Sequence, residues 1–215
     1  MSGRTFANAV SAPGSAPIGN SAPAKNHGRI AITGVATALA RFLNALGRVD
    51  ATGGPPPGQH NFHRGGPLST YADEALDAID ALGDEVPVEA VMRVWEDAMT
   101  TSWDREPVWF HGDVATGNLL VRDGRLAAVL DFGTSGVGDP ACDTVIAWTF
   151  FSGASRARFR VDLEVDSATW SRGRGWALWK ALITLVGHLE RDAPDAAAVT
   201  RREIDEILAD YAQDR

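Results

Sequence analysis

The chain has 215 residues, 45% of them hydrophobic and 22% charged, which is enough for one globular domain with an ordinary core. Its net charge of −8 argues against a nucleic-acid-binding surface, and no apolar run reaches membrane-spanning length. The single cysteine, Cys142, excludes an internal disulfide, and the first residues lack the apolar stretch of a secretory signal, so we expect a cytoplasmic protein.

The N-terminal segment differs in composition from the rest of the chain. Residues 1–28 are rich in Ser, Ala, Pro, Gly and Asn, with too few large apolar groups to offset the entropy of ordering, so a disordered tail is predicted. Residues 29–215 form the predicted folded domain. Its first helix ends before the Gly/Pro-rich run 53–58, a second begins at Ser69 or Thr70, and a third follows Pro87. The apolar stripes of these helices are Val35, Leu39, Phe42, Leu43 and Leu46; Leu76, Ile79 and Leu82; and Val91, Met92, Trp95, Ala98 and Met99.

A β-hairpin is predicted in the middle of the chain. Residues 118–122 and 126–130 are strand-like runs on either side of Asp123-Gly124-Arg125. Asp-Gly between apolar runs indicates a tight turn, because glycine accepts the positive φ that such turns need. The hairpin places Asn118 at the start of one strand beside Asp131 at the end of the other.

The rest of the chain is predicted to be helical. Asp139-Pro140 is a helix-start signature, and that helix would continue through Phe151. Two more helices are predicted over about 166–190, capped by Asp166 or Ser167, and over about 195–212.

Residues around the hairpin carry the strongest functional signal. His111-Gly112-Asp113 with Asn118 forms the pattern H-G-D-x-x-x-x-N, and Asp131 opens the tripeptide D-F-G. Phosphoryl transfer requires a carboxylate that accepts the proton of an attacking hydroxyl, and an amide and a second carboxylate that hold magnesium. The alternative is a surface hairpin with turn-forming Asp and Asn residues. It does not explain why these side chains gather at one end of the hairpin.

From about Ile30 to its C-terminus the chain resembles the C-terminal lobe of the aminoglycoside phosphotransferase family, whose fold is similar to that of protein kinases. The likeness is carried by residues 108–121, by 130–133 and by 138–143. The resemblance implies a mainly α fold with a small β-hairpin. It also implies that Asp113 is the catalytic base, that Asn118 and Asp131 are Mg²⁺ ligands, and that His111, Asp139 and Asp143 support the loops.

The same resemblance implies a reaction. The terminal phosphate of ATP or GTP would pass to a hydroxyl of a small molecule such as an aminoglycoside or a macrolide, as in antibiotic resistance. A complete member also has an N-terminal lobe with a glycine-rich turn and a strand lysine on the phosphates. Here Lys25 lies in the tail, Lys180 lies in a predicted helix, and no G-x-G-x-x-G occurs. We therefore expect that the nucleotide lobe is missing, that nucleotide-binding residues are unassigned, and that the chain is truncated and weakly active alone.

Three alternatives remain open at the level of sequence. The first is a non-catalytic ligand-binding or interaction protein derived from a kinase lobe. The second is a gene fragment or a mis-assigned start, and the third is a metal-dependent hydrolase that releases phosphate without an acceptor. The acceptor, the choice of ATP or GTP and the oligomeric state are not readable from the residues.

Overall fold

A computed structural model describes residues 27–215, with side chains described from residue 32 onward. Of the segment predicted to be disordered, residues 1–26 lie outside the described residues, and residues 27 and 28 belong to the first helix. The α-helices of the described part are α1 (His27–Gly47), α2 (Ala72–Leu82), α3 (Val88–Met99), α4 (Ile146–Thr149), α5 (Gly153–Asp162), α6 (Ser167–Glu190) and α7 (Pro194–Gln213). Short 3-10 helices cover Gln59–Asn61, Leu68–Tyr71, Gly83–Glu85, Thr116–Asn118 and Pro140–Val145.

The strands form two small antiparallel sheets. They are β1 (Val108–Phe110), β2 (Leu119–Arg122), β3 (Arg125–Val129) and β4 (Gly136–Gly138), paired as β1 with β4 and β2 with β3. The mainly α fold with a small hairpin is therefore confirmed. Within residues 27–215, no helix combines the length and the apolar character needed to cross a membrane.

Helix α6 is the centre of the packing. It contacts α2, α3 and α7, and residues 172–179 are buried without interruption. It lies very close to the 3-10 helix Pro140–Val145, since a Cβ on Gly173 would fall 1.7 Å from Thr144 Oγ1. The first helix, α1, packs instead against α5, β1 and β3. The two sheets therefore lie on a helical base that fixes the ends of their strands.

The predicted hairpin is confirmed in position and turn type. Leu119 is opposite Val129 in the β2–β3 ladder, and the register shifts at a bulge between Leu120 and Val121. Asp123 and Gly124 both have left-handed backbone conformations, with φ of +52° and +72°. Consecutive positive φ values match the right-handed twist of a two-stranded ribbon, which is why Asp-Gly was informative.

Four elements differ from the prediction. The helix expected after Asp139 begins as a 3-10 helix and continues as α4 only to Thr149, although Asp139 Oδ1 accepts a hydrogen bond from Ala141 N at 3.0 Å as a cap should. Strand β4 and helix α5 were not predicted. Leu76 was assigned to the apolar stripe of α2 but is exposed, because the buried face of that helix consists of Ala75, Ala78, Ile79 and Leu82.

Candidate active site

The loop after β1 is held by a buried carboxylate. Asp143 accepts hydrogen bonds from the backbone amides of His111 and Gly112, both at 2.7 Å. Gly112 has a φ of +86°, and a Cβ at this position would lie 2.4 Å from the carbonyl oxygen of Thr134. Only glycine fits both the backbone conformation and this close approach. Packing and backbone conformation therefore both require the glycine of the H-G-D pattern.

His111 joins the loop to the end of the hairpin. Its side chain is fully buried, and Nε2 lies 2.9 Å from the carbonyl oxygen of Leu130. Its Nδ1 accepts a hydrogen bond from the backbone amide of Asp113 at 3.3 Å. These two contacts assign the neutral tautomer with the proton on Nε2. The imidazole thus ties the segment before Asp131 directly to the segment that carries Asp113.

Asp113 and Asn118 are in direct contact. Asn118 Nδ2 donates to the carbonyl oxygen of Asp113 at 2.9 Å and to its Oδ2 at 3.1 Å. Both amide protons are thereby used within the loop, and Asn118 Oδ1 accepts no hydrogen bond from the side chains and backbone of residues 32–215. An oxygen without a partner beside a carboxylate is available to a metal ion.

Asp131 follows β3 by two residues, at the end of the hairpin where Asn118 precedes β2. The amide of Leu130 donates to the carbonyl oxygen of Asn118 at 2.8 Å, which extends the hairpin ladder to the residue before Asp131. Asp131 is exposed, has a left-handed φ of +62°, and uses one carboxylate oxygen to accept from Gly133 N at 3.3 Å. The other oxygen has no partner in the described part of the chain.

The side-chain oxygens of Asn118 and Asp131 are of the kind that Mg²⁺ takes as ligands. No group of three or more His, Cys, Asp or Glu side chains within the described residues could hold a metal alone. Mg²⁺ in nucleotide sites, however, takes one or two protein oxygens and completes its shell with phosphates and water. The free oxygens of Asn118 and Asp131 match that requirement.

Asp139 contacts helix α6 rather than the loop that carries Asp113. Its carboxylate receives Arg172 Nε at 2.6 Å on Oδ2 and Arg172 Nη2 at 3.3 Å on Oδ1. Both side chains are buried. The structure therefore brings His111, Asp113, Asn118 and Asp131 together, with Asp143 directly beneath the loop, and gives Asp139 a contact with α6 instead.

Two cationic residues near Asp113 were missed by the sequence analysis. Lys180 lies in a helix as predicted, but its Nζ is 3.8 Å from Asp113 Oδ1. Partial burial lowers the pKa of the Lys180 ammonium, and the neighbouring Asp113 opposes that shift. Arg64 Nε donates to the carbonyl oxygen of Gly112 at 3.1 Å. No motif marks either residue, because their proximity to the loop depends on how α6 and the segment before α2 pack.

A cavity of about 300 Å³ lies between α1, β1 and the start of α6. Asp143 lines it, whereas Asp113, Asn118 and Asp131 do not. A cavity of about 20 Å³ is lined by the candidate base Asp113 together with Arg64 and Lys180.

Burial raises the pKa of Asp143 from 3.8 to about 6, against the effect of the two amides that favour its charged form. A carboxyl group whose pKa is higher in the folded than in the unfolded protein contributes to the free energy of unfolding. This contribution is complete below pH 3.8 and is lost as the pH rises through about 6. We therefore predict that, from about pH 4 to about pH 7, the free energy of unfolding of the wild type falls relative to that of Asp143→Asn by about 2–3 kcal/mol. Urea unfolding across this range measures the difference, and parallel pH curves for the two proteins would contradict it.

Fold and site together define the helical C-terminal lobe of a protein-kinase-like fold. Residues 26–176 match the model of the Phosphotransferase enzyme family, and the chain belongs to this family. A search of curated protein sequences gives no match.

Solved structures with the same fold include three phosphotransferases. A thermostable mutant of aminoglycoside phosphotransferase APH(4)-Ia, in its apo form, is 20% identical with a TM-score of 0.54, covering 85% of this chain and 67% of that one. The GDP and kanamycin complex of APH(2")-IIia is 19% identical with a TM-score of 0.55, covering 84% and 63%. Macrolide 2'-phosphotransferase type I is 19% identical with a TM-score of 0.52, covering 89% and 63%. The chain thus spans about two thirds of these proteins or slightly less, and the likeness establishes the fold.

Proposed function

We propose that this protein acts in the transfer of the terminal phosphate of a nucleoside triphosphate to a hydroxyl of a small molecule. The observation that carries this proposal is the contact between Asp113 and Asn118 at the end of a hairpin that also positions Asp131. Membership of the phosphotransferase family supports it. A turn-forming role alone would not leave free oxygens on Asn118 and Asp131 beside an Asp113 carboxylate.

Each residue has a distinct proposed role. Asp113 orients the acceptor hydroxyl and accepts its proton as the oxygen–phosphorus bond forms and the bond from that phosphorus to the departing nucleoside diphosphate breaks. Asn118 and Asp131 hold Mg²⁺, which when bound offsets charge on the phosphates of the donor. His111 and Asp143 keep the loop in one geometry, which matters because catalysis of phosphoryl transfer is mainly positioning and electrostatic stabilisation.

Related solved structures suggest the substrates. Structures of the same fold contain GDP with kanamycin in one case and AMP-PNP or ADP with hygromycin B in others. We therefore propose ATP or GTP as the donor and a hydroxyl-bearing small molecule as the acceptor. The sequence has no G-x-G-x-x-G turn, and Lys180 lies beside Asp113 rather than on a strand. Nucleotide binding by this chain should therefore depend strongly on the metal site, and phosphotransfer by the chain alone should be slow.

Asp131→Asn tests this proposal. The substitution replaces the charged carboxylate ligand by a neutral amide oxygen, so we expect the affinity for AMP-PNP in the presence of Mg²⁺ to fall by about tenfold or more. Calorimetric titration of the full chain with nucleotide, with and without Mg²⁺, measures the effect.

A matched control is available on the same hairpin. Asp123→Asn removes an exposed carboxylate at the turn end, and asparagine tolerates the left-handed backbone there, so nucleotide affinity should not change. Nucleotide binding that is indifferent to Mg²⁺ and to Asp131 would contradict the proposed metal site.

A further inference from the structure

The two carboxylate oxygens of Asp113 face different neighbours. Oδ2 contacts Asn118 Nδ2 at 3.1 Å, on the side that leads to Asp131. Oδ1 faces Lys180 Nζ at 3.8 Å, on the side of helix α6. If Asn118 and Asp131 mark the side of the metal and the donor phosphates, Lys180 marks the side from which an acceptor approaches.

A second cation lies on this acceptor side. The Arg64 guanidinium stacks over the rings of Trp176 and Trp179, at 5.4 Å from each centroid, and its Nε is bound to the carbonyl oxygen of Gly112. Among residues 32–215 it forms no ion pair, and its Nη1 is buried with no hydrogen-bond partner. A buried cationic donor without an acceptor is unfavourable, because such groups are nearly always paired in native structures.

The unpartnered atom belongs to the wall of a small cavity. The cavity has a volume of about 20 Å³ and is lined by Arg64, Asp113, Lys180, Trp176 and Trp179, among others. This volume admits one water-sized group, such as a single oxygen of an anion, but not a sugar ring. The space beside Arg64 therefore accommodates a small substituent of a ligand and not its main scaffold.

The charges around the cavity do not suit a polycation. Lys180 forms an ion pair with Asp113, and Glu203 is the further carboxylate whose charge acts on it. Two further carboxylates nearby also have partners: Asp143 accepts from two backbone amides, and Glu74 accepts from Trp179 Nε1 at 2.7 Å. An acceptor with several ammonium groups would bring positive charge against Arg64 and Lys180, while most of the carboxylates nearby already have partners.

We infer that Arg64 and Lys180 form an oxyanion subsite, so that the acceptor carries a carboxylate or phosphate group close to the hydroxyl that is phosphorylated. This inference rests on the proposed function, because it takes Asp113 as the group that receives the acceptor hydroxyl. Arg64 supplies a preformed donor at the bottom of the subsite, and its aromatic contacts hold the guanidinium in place. Lys180, which is half-buried, closes the mouth of the subsite next to Asp113.

Matched small probes test the inference. Glycerate and glycerol 3-phosphate carry a carboxylate or a phosphate beside hydroxyl groups, glycerol has the hydroxyls alone, and kanamycin is a polycation. Titrated into the full chain with Mg²⁺ and AMP-PNP, at least one anionic probe should bind about tenfold more tightly than glycerol. The comparison of glycerate with glycerol 3-phosphate shows which anion the subsite prefers.

Substitutions assign the effect to the subsite. Lys180→Gln should lower the affinity for the preferred anion by about tenfold and leave that for glycerol unchanged, because it removes one charge-assisted contact. Lys180→Arg should restore most of the affinity. Arg202→Gln, which removes an exposed cation on α7, is the matched control and should change nothing.

The outcomes separate this inference from the proposed function. Kanamycin binding more tightly than both anions, or equal losses of glycerol and anion affinity in Lys180→Gln, would overturn the subsite. Nucleotide binding that depends on Mg²⁺ and Asp131 would stand in either case. Conversely, charge-selective anion binding that requires Lys180, without any nucleotide binding, would support the subsite and contradict the proposed phosphotransfer.

Discussion

Asp113→Asn should lower the rate of phosphotransfer by about 10²–10⁴-fold while changing the affinity for the magnesium nucleotide little. Asparagine has the same shape, and its side-chain oxygen can still accept the hydrogen bond from Asn118 Nδ2. It cannot accept a proton from an attacking hydroxyl. The loop geometry should also survive, because His111 and Gly112 are held through their backbone amides by Asp143.

The rate should be measured as phosphate transferred to an acceptor that the wild type phosphorylates, with nucleotide affinity followed in parallel by calorimetry. Asp123→Asn serves again as the control for loss of one carboxylate. A rate that is unchanged in Asp113→Asn would place the base elsewhere. Two other classes of protein give different results: a non-catalytic binding protein transfers no phosphate even as wild type, and a hydrolase releases phosphate when no acceptor is added.

The hairpin could be predicted because its determinants are local. The Asp123-Gly124 turn requires positive φ at both positions, and the apolar runs on either side set the strands. Antiparallel pairing of the two strands then predicts that Asn118 and Asp131 are neighbours. The residues with the strongest chemical pattern were therefore also the easiest to place from sequence.

Elements that depend on tertiary packing could not be predicted. Strand β4 consists of Val137 between two glycines, which have little strand propensity, and it forms because β1 offers a partner across from it. Helix α5 has a polar sequence, and it packs on α1 while its buried Arg156 pairs with the half-exposed Glu206 on α7. Such pairings are between residues far apart in the chain, and a periodic pattern contains no information about them.

The same limit explains why Lys180 was misjudged. The helical pattern around it was correct, but the pattern could not show that this turn of α6 passes beneath Asp113. Helix α6 also carries Arg172, which binds Asp139, and Gly173, which allows the close contact with Thr144. Arg172 and Lys180 are eight positions apart, or about 12 Å along the helix. One buried helix thus anchors the segment after the D-F-G loop and presents a cation to the candidate base.

Arg172→Met should therefore lower the free energy of unfolding by about 3–5 kcal/mol. The side chains of Arg172 and Asp139 are only 4% and 6% exposed, so the substitution leaves a carboxylate buried without its partner. It also removes the hydrogen bonds from Arg172 to Thr101 and Thr169. Methionine is an unbranched apolar side chain that adapts to irregular core space, so the main loss is electrostatic rather than a cavity. Urea unfolding followed by tryptophan fluorescence measures the change.

Two comparisons decide whether the buried charge is the cause. Adding Asp139→Asn to Arg172→Met should recover part of the lost stability, because asparagine removes the unpaired charge and its oxygen can still accept from Ala141 N at the helix start. Arg48→Met breaks the ion pair with Glu164, whose side chains are 64% and 65% exposed, and should cost less than about 1 kcal/mol. Equal losses for Arg172→Met and Arg48→Met would show that burial does not set the strength of the Asp139 contact. If the Arg172→Met protein folds but adding Lys180→Gln to it no longer changes anion affinity, the contact between Arg172 and Asp139 also positions Lys180 beside Asp113.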